Sequence, residues 1–481
     1  MSLKKIIKDI GIIGFSKILI SISGIILIPV LTRTLGASGY GLWVQARVTI
    51  SVVVPVILLG LDSAVPRIFP SKGTADVGKD FSSLVFLTFL VILPFSIALF
   101  TFPNFLADLF FDGEEFVVRF VALTLIVWSF DKLFMRVYRA FREMKTYAIL
   151  RVLTRYAELG LASFLVITGY GLFGALAAVL IIRTILFLAL IANLSKRLGI
   201  HLPRLSRTKE YLNYGIPTIP SGISYWVMSS SDRYLIAFFL GTAFVGYYSP
   251  AYQIGKALPF MLAEAVYIVL KPTLSKYYDE GETKRVKNVL KLSLKYLIVF
   301  SVPYFFGALL FHQEITALIS TPEIAREGSY IAIYTALLGI VYILYKIYNI
   351  VLILEKKMKT VGTVKTTAAF LNFGGNLVLI PYLGILGAVF TTLIAYLFTT
   401  LIYFAVATKH IDLDIRFTPY LKILVSSGLM FAVLLALSHF TYVSFLLLIP
   451  LGVAIYFGIM FAIGGIERDE YDFIMETYSK K

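Results

Sequence analysis

The chain has 481 residues, 59% of them hydrophobic and only 15% charged, with a mean hydropathy of +0.86; a water-soluble core of that size is excluded, and most of the chain belongs in lipid. Its net charge of +16 comes without a basic tract interleaved with stacking aromatics, so nucleic acid is not an expected partner. The absence of cysteine excludes disulfides, thiol catalysis and Cys-type metal sites.

A helical crossing needs about 20 apolar residues, and fourteen runs meet that need: 11–31, 41–65, 82–103, 116–138, 147–168, 172–193, 212–236, 244–270, 292–311, 328–354, 362–380, 385–406, 418–438 and 444–464. They are continuous rather than alternating, which predicts an all-α polytopic membrane protein and not a barrel. The first run opens on Lys4, Lys5 and Lys8 like a signal peptide, but no small-residue cleavage site follows and Arg33 closes a full-length span, so it is expected to be retained. Lys and Arg collect in alternate loops, at Arg67, Lys72 and Lys79, at Arg139, Arg142 and Lys145, at Arg204, Arg207 and Lys209, at Lys284, Arg285 and Lys287, and at Lys356, Lys357 and Lys359. The opposite loops hold only Arg33 and Arg326 beside acids such as Asp108, Asp112 and Glu114. That asymmetry puts both termini in the cytoplasm, suits an anionic inner leaflet, and makes the basic balance topological.

Charges inside the spans stand out, because one at the bilayer centre costs at least about 2.5–3.5 kcal/mol and persists there facing a cavity or a partner. In chain order they are Lys17 in span 1, Arg47 in span 2, Asp62 at its end, Lys132 in span 4, Glu158 in span 5, Arg183 in span 6, Asp232 and Arg233 in span 7, Lys256 and Glu264 in span 8, and Lys346 in span 10. Lys17, Arg47, Arg183 and Lys256 are the candidate ligands of an anionic cargo. The competing reading is that Lys17 and Arg47 snorkel to an interface and that Lys256 and Arg183 are held in ion pairs with Glu264, Glu158 or another carboxylate. Lys132 and Lys346 are either interface anchors or entry-side phosphate contacts. Glu158, Glu264 and Asp62 are candidates for coupling to a proton or a sodium ion, with structural pairing of Glu158 to Arg151, Arg155 or Arg183 as the alternative. Pro217 and Pro220 with Gly215 and Gly222 make the first half of span 7 the expected bending element. The histidines His201, His312, His410 and His439 lack a second ligand at a spacing of three or four, and no GxxxxGK[ST] loop occurs. No metal, cofactor or ATP hydrolysis is expected, and no outward loop is long enough for a catalytic domain, so the chain reads as a transporter rather than an enzyme.

The chain also repeats itself. Gly171, Gly174 and Ala175 return as Gly384, Gly387 and Ala388 at an offset of 213; Met144, Lys145 and Thr146 return as Met358, Lys359 and Thr360 at 214, which also carries Lys132 onto Lys346; and Leu35, Gly36 and Gly41 return as Leu240, Gly241 and Gly246 at 205. Two homologous halves meeting near the bilayer midplane are a common plan for moving a substrate. The expected organisation is an N-lobe over 1–205, a C-lobe over 206–410, and two appended spans with a cytoplasmic tail over 411–481.

Leu31, Arg33, Leu35 and Gly36 leading into Tyr40, Gly41 and Trp43 resemble the amino-terminal signature of the polysaccharide transporters, the Wzx-type O-antigen flippases of the MOP superfamily. So do Tyr214, Pro217, Ser231, Asp232, Arg233 and Tyr234 at the start of the second half, and Leu371, Asn372 and Asn376 followed by Pro381 through Ala388. The resemblance implies a MATE-like pair of six-helix lobes around a cavity open to alternate sides. It implies a prenyl-pyrophosphate-linked oligosaccharide as cargo, moved from the cytoplasmic to the outer leaflet, and membrane lipid, a proton or sodium ion and other polysaccharide-assembly proteins as partners. In the related lipid II flippases the cavity cations come from spans 1, 2 and 8, which Lys17, Arg47 and Lys256 match and Arg183 does not. Tyr225, Tyr252 and Tyr345 are then candidates to stack on sugar rings. The alternative on the same fold is a multidrug or organic-cation exchanger, whose cavity should be dominated by carboxylates; a polytopic ligase or polymerase would need a large external loop.

Overall fold

The computed structural model describes residues 3–414, 416–440 and 444–465, and these form helices joined by short turns. The side chains of Lys4, Lys5, Lys8 and His439 and the tail after 465 lie outside the described residues. The chain forms two compact units, one of residues 1–249, 319–324 and 369–388 and one of 250–318, 325–368 and 389–481.

The first unit opens with α1 (Leu3–Ile57), then α2 (Leu61–Ile68), α3 (Thr74–Thr101), α4 (Asn104–Phe110), α5 (Glu115–Ala140), α6 (Met144–Leu165), α7 (Gly171–Leu198), α8 (Lys209–Gly215) and α9 (Ile219–Leu240). It continues into α10 (Thr242–Asp279). At 1.5 Å per residue the apolar stretch Gly11–Ile57 is about 70 Å long, more than twice the roughly 30 Å hydrocarbon layer. Gly36 breaks it with φ 69° and ψ −172°, a conformation only glycine adopts without strain. The stretch Met144–Leu198 is longer still, and a π-helical turn at Val166–Tyr170 with Gly169 at φ 99° divides it. The run expected to end near residue 65 stops earlier. Leu59 and Gly60 take left-handed φ of 50° and 73°, and Asp62 falls in the first turn of α2. Span 7 is likewise interrupted, by a 3₁₀ turn over Ile216–Thr218 that Pro217 initiates.

Among the places in this unit where glycine lets backbones touch, two join helices far apart in sequence that bear on the site. A Cβ on Gly41 would lie 1.9 Å from the Thr242 carbonyl oxygen, and one on Gly246 would lie 2.0 Å from that of Ala37. Ala37 and Gly41, like Thr242 and Gly246, are four residues apart, so α1 and α10 cross through two small-xxx-small faces. The repeat offset of 205 maps one face onto the other, and the contact is therefore reciprocal. The second place pins the α1–α2 break to span 7: a Cβ on Gly60 would lie 2.1 Å from the Gly215 carbonyl oxygen.

The second unit contains most of α10, of α11 (Thr283–Ile319) and of α12 (Pro322–Gly328), all of α13 (Ile331–Leu354), the first part of α14 (Met358–Leu383) up to Ala368, most of α15 (Ile385–Ala407), and α16 (Phe417–Phe440) and α17 (Phe445–Ala462); the larger part of α14 belongs to the first. Its centre is α13, where Ile331, Ala332, Ala336, Leu338, Ile343 and Val351 are buried. α10 reaches it closely, since a Cβ on Gly255 would lie 2.3 Å from the Ala332 carbonyl oxygen. The Tyr456 hydroxyl donates to the Val299 carbonyl at 2.8 Å, tying α17 to α11.

Nine helical stretches among the described residues are long and apolar enough to cross a membrane. Helices α5, α9 and α14 have 26, 22 and 26 residues, enough to cross by length, but fall outside that nine. They carry Asp131, Lys132 and Arg136, Asp232 and Arg233, and Lys365, Asn372 and Asn376 respectively. These three helices are less apolar because of such groups, several of them buried, among them Asp131, Asp232, Asn372 and Asn376.

Candidate functional site

Four helices of the first unit bring charged side chains together. Glu158 on α6, 1% exposed, accepts from Arg183 Nε of α7 at 2.6 Å and from Arg155 Nη1 at 3.2 Å, and lies 3.7 Å from Arg47 Nη1 of α1. Asp131 on α5, also 1% exposed, lies 3.7 Å from Arg183 Nη1. Trp128, one turn before Asp131, lies under the Arg183 guanidinium at 3.8 Å and 5.2 Å from that of Arg47, which is also 5.1 Å from the Trp43 ring. Aromatic faces hold guanidinium groups that have lost their water. Three arginines against two carboxylates leave one positive charge. Both Asp131 oxygens and Arg47 Nη1 are buried without a hydrogen-bond partner among the described residues. The cluster is therefore charge-paired but not saturated, and an entering anion could take guanidinium donors that now serve carboxylates.

A second group lies at the α1–α2 break. Lys132 Nζ and Arg136 Nη2, one turn apart on α5, both contact Asp62 Oδ2, at 3.2 and 3.1 Å. They line a cavity of about 540 Å³ with Ser51 and Ser63, and with Tyr225, Trp226, Ser229 and Ser230 of α9. Lys17 is in neither group: it is exposed on α1 and has no ion pair among the described residues.

In the second unit Lys346 Nζ of α13 pairs with Glu264 Oε1 of α10 at 2.6 Å, and the Tyr342 hydroxyl donates to the same carboxylate. The ammonium also lies over the Tyr267 ring at 4.3 Å. Lys132 and Lys346, equivalent in the repeat, thus each pair with a carboxylate, Asp62 or Glu264. Lys256 lies one turn from Tyr252 with its ammonium 5.0 Å from that ring.

Of the expected residues, Arg47, Arg183 and Glu158 meet in one cluster, Asp62 and Lys132 in the cavity, and Glu264 and Lys346 in the second unit. Asp131, Arg136, Trp128 and Trp226 were not singled out from the sequence. Asp131 was legible as a carboxylate deep in run 116–138, masked by the adjacent Lys132, and Arg136 as the residue one turn beyond Lys132. Asp232 and Arg233 pair at 2.7 Å, both buried, and the Tyr248 hydroxyl donates to Asp232 Oδ2 at 2.6 Å.

A model of the polysaccharide biosynthesis protein family matches residues 30–323. The probable low-salt glycan biosynthesis flippase Agl15 of Haloferax volcanii is 24% identical over 431 residues, covering 89% of this chain and 88% of the relative. The probable flippase AglR of the same organism is 27% identical over 171 residues, 34% of each chain. Among solved structures, the lipid II flippase MurJ in an inward closed conformation superposes with a TM-score of 0.77 at 18% identity, covering 93% of this chain and 97% of that one. An inward-facing multidrug resistance MATE transporter of the MOP superfamily gives 0.63 at 14% identity, covering 82% and 94%. The fold is therefore MurJ- and MATE-like, and the proteins it matches are flippases and transporters, not enzymes. With more than half of its length inside the family model, the chain is a multi-pass membrane protein of the polysaccharide biosynthesis protein family.

Proposed function

We propose that the protein is a flippase that carries a prenyl-pyrophosphate-linked oligosaccharide from the cytoplasmic to the outer leaflet of the cell membrane by alternating access. The observation that carries this reading is the cationic excess of its buried charge: Arg47, Arg155 and Arg183 outnumber Glu158 and Asp131, as Lys132 and Arg136 outnumber Asp62. A cargo with a pyrophosphate and a bulky glycan asks for a wet, cationic path, because charge-assisted hydrogen bonds to phosphate are the strong ones. An organic-cation exchanger would need the opposite balance, and family membership and the similarity to a probable glycan biosynthesis flippase favour the glycan cargo.

Helix length supports fourteen crossings. The nine apolar stretches include two, Gly11–Ile57 and Met144–Leu198, each long enough for two crossings, which makes eleven; α5, α9 and α14 add three. An even number with the Lys and Arg bias puts both termini in the cytoplasm. Spans 1–6 and 7–12 form the repeated lobes, 1–205 and 206–410, and α16 and α17 are appended. Arg47, Arg183, Lys256 and Lys17 engage the pyrophosphate or acidic sugars; Glu158 holds Arg47 and Arg183 until the cargo arrives, as Asp62 holds Lys132 and Glu264 holds Lys346.

The test is flipping of a fluorescent prenyl-pyrophosphate oligosaccharide in proteoliposomes, wild type against Arg183→Ala and Lys256→Ala. Transport that collapses in folded variants supports the reading. Proton-coupled efflux of organic cations, with no movement of any lipid-linked sugar, overturns it.

A further inference from the structure

The cavity at the α1–α2 break, about 540 Å³, is within the roughly 300–1,000 Å³ of small-molecule pockets, and its lining divides by chemistry. Lys132 and Arg136 present two cations one helical turn apart and share a single carboxylate, Asp62, leaving one positive charge in excess. Both are only partly covered, with side chains 25% and 26% exposed, while Asp62 is 11% exposed. The α9 wall supplies the Trp226 indole, oriented by its Nε1 donating to Ser51 Oγ at 3.1 Å, and the Tyr225 side chain, 70% exposed. An amphipathic aromatic ring offers an apolar face to the C–H side of a pyranose and leaves the rim to hydrogen bonds. The surplus cation is what a neutral sugar would not need.

We infer that this cavity is a saccharide subsite for a pyranose bearing an anionic group, such as a uronate. The ring stacks on Trp226, and the acid takes Lys132 and Arg136 from Asp62. Asp62 is then an internal rival for the ligand: it neutralises the empty cavity and is displaced by an acid that makes a better charge-assisted contact. The inference deepens the proposed flippase reading by naming the sugar class at one point of the path.

The test is calorimetric titration of the detergent-solubilised full chain with trigalacturonic acid, with maltotriose and with inorganic phosphate. Trigalacturonic acid is expected to bind about tenfold or more tightly than maltotriose, a difference of about 1.4 kcal/mol. Arg136→Gln and Lys132→Met should each erase that preference, Trp226→Ala should weaken both saccharides, and Asp62→Asn should tighten the acidic one by removing its rival. Equal affinity for the two saccharides, or no binding by folded wild type, overturns the inference. Phosphate that competes as well as the acidic saccharide overturns the sugar part and makes the cavity a phosphate site. Binding is read without transport, so a chain that binds but does not flip sinks the flippase reading alone, and one that flips lipid-linked sugar without binding here sinks this inference alone.

Discussion

Replacing Glu158 with glutamine keeps the shape of the side chain and removes its charge from the middle of three arginines. In the wild type that carboxylate takes Arg183 at 2.6 Å and Arg155 at 3.2 Å and neutralises Arg47 at 3.7 Å while 1% exposed. After the change three guanidinium groups face only Asp131, which reaches Arg183 at 3.7 Å, so two positive charges are left uncompensated in a buried site. Removing one partner of a buried ion pair costs about 3–5 kcal/mol. The amide oxygen retains one hydrogen bond, so the lower end of that range is the floor. At about 2–4 °C per kcal/mol the unfolding temperature of the detergent-solubilised protein should fall by about 6–20 °C. Adding Arg183→Gln to Glu158→Gln should recover part of the loss, because the excess charge falls to one again; coupling between groups in one network is typically about 0.5–3 kcal/mol. A Glu158→Gln protein that melts within about 2 °C of wild type, or a double variant that simply sums the two losses, would refute the view that Glu158 neutralises this cluster.

Gly41→Ala and Gly246→Ala should destabilise the protein to a similar degree, by about 1–3 kcal/mol or more, because each added methyl meets a carbonyl of the other helix at about 2 Å; thermal unfolding of the two variants side by side checks it, and tolerance at either position refutes the close crossing. Lys346→Met should cost about 1–3 kcal/mol, since it strips Glu264 of its 2.6 Å partner, and Lys346→Met with Glu264→Gln should be more stable than Lys346→Met alone. In the turn between α2 and α3, burial opposes protonation of Lys72 but its hydrogen bonds to Asp80 and Glu210 win, holding the ammonium above the ordinary lysine value of 10.5. A raised folded-state value contributes stability that is complete below 10.5 and is lost as pH rises through the folded value, so wild type should lose more stability than Lys72→Met between pH 9 and pH 12 in denaturant titrations. Equal losses would refute that linkage.

The fold was legible because lipid imposes a length and a composition on each helix, and because the repeat copied both. The breaks were less so. Gly36 reads as a turn residue, and Gly60 is one too, but it stands among leucines in a long apolar run, and nothing in the sequence says that Leu59 also takes a left-handed φ. At the site, the deep charges could be picked out one by one as costly in lipid, and Arg155 and Arg183 were among the partners foreseen for Glu158. That Arg47 joins them and that Trp128 lies beneath Arg183 depends on helices far apart in sequence, which spacing alone does not bring together. Lys132 and Lys346 were matched by the repeat, and the acids they pair with, Asp62 and Glu264, sit 202 residues apart rather than 214, a slippage that kept the second half of the correspondence hidden.

The crossing of α1 and α10 also bears on ancestry. Gly41 meets Thr242 and Gly246 meets Ala37, so residue i touches j while the equivalent of i touches the equivalent of j. That is the signature of an isologous contact between identical subunits, here preserved inside one polypeptide. A half-length ancestor would have paired with itself through this patch, and every substitution there would have struck both sides at once. Joining the two halves in one chain would lift that constraint. In the present chain the two positions differ: position 37 is alanine, while its counterpart Thr242 donates its hydroxyl to Asp112. That contact could be elaborated on one side only after the two halves had become one gene product.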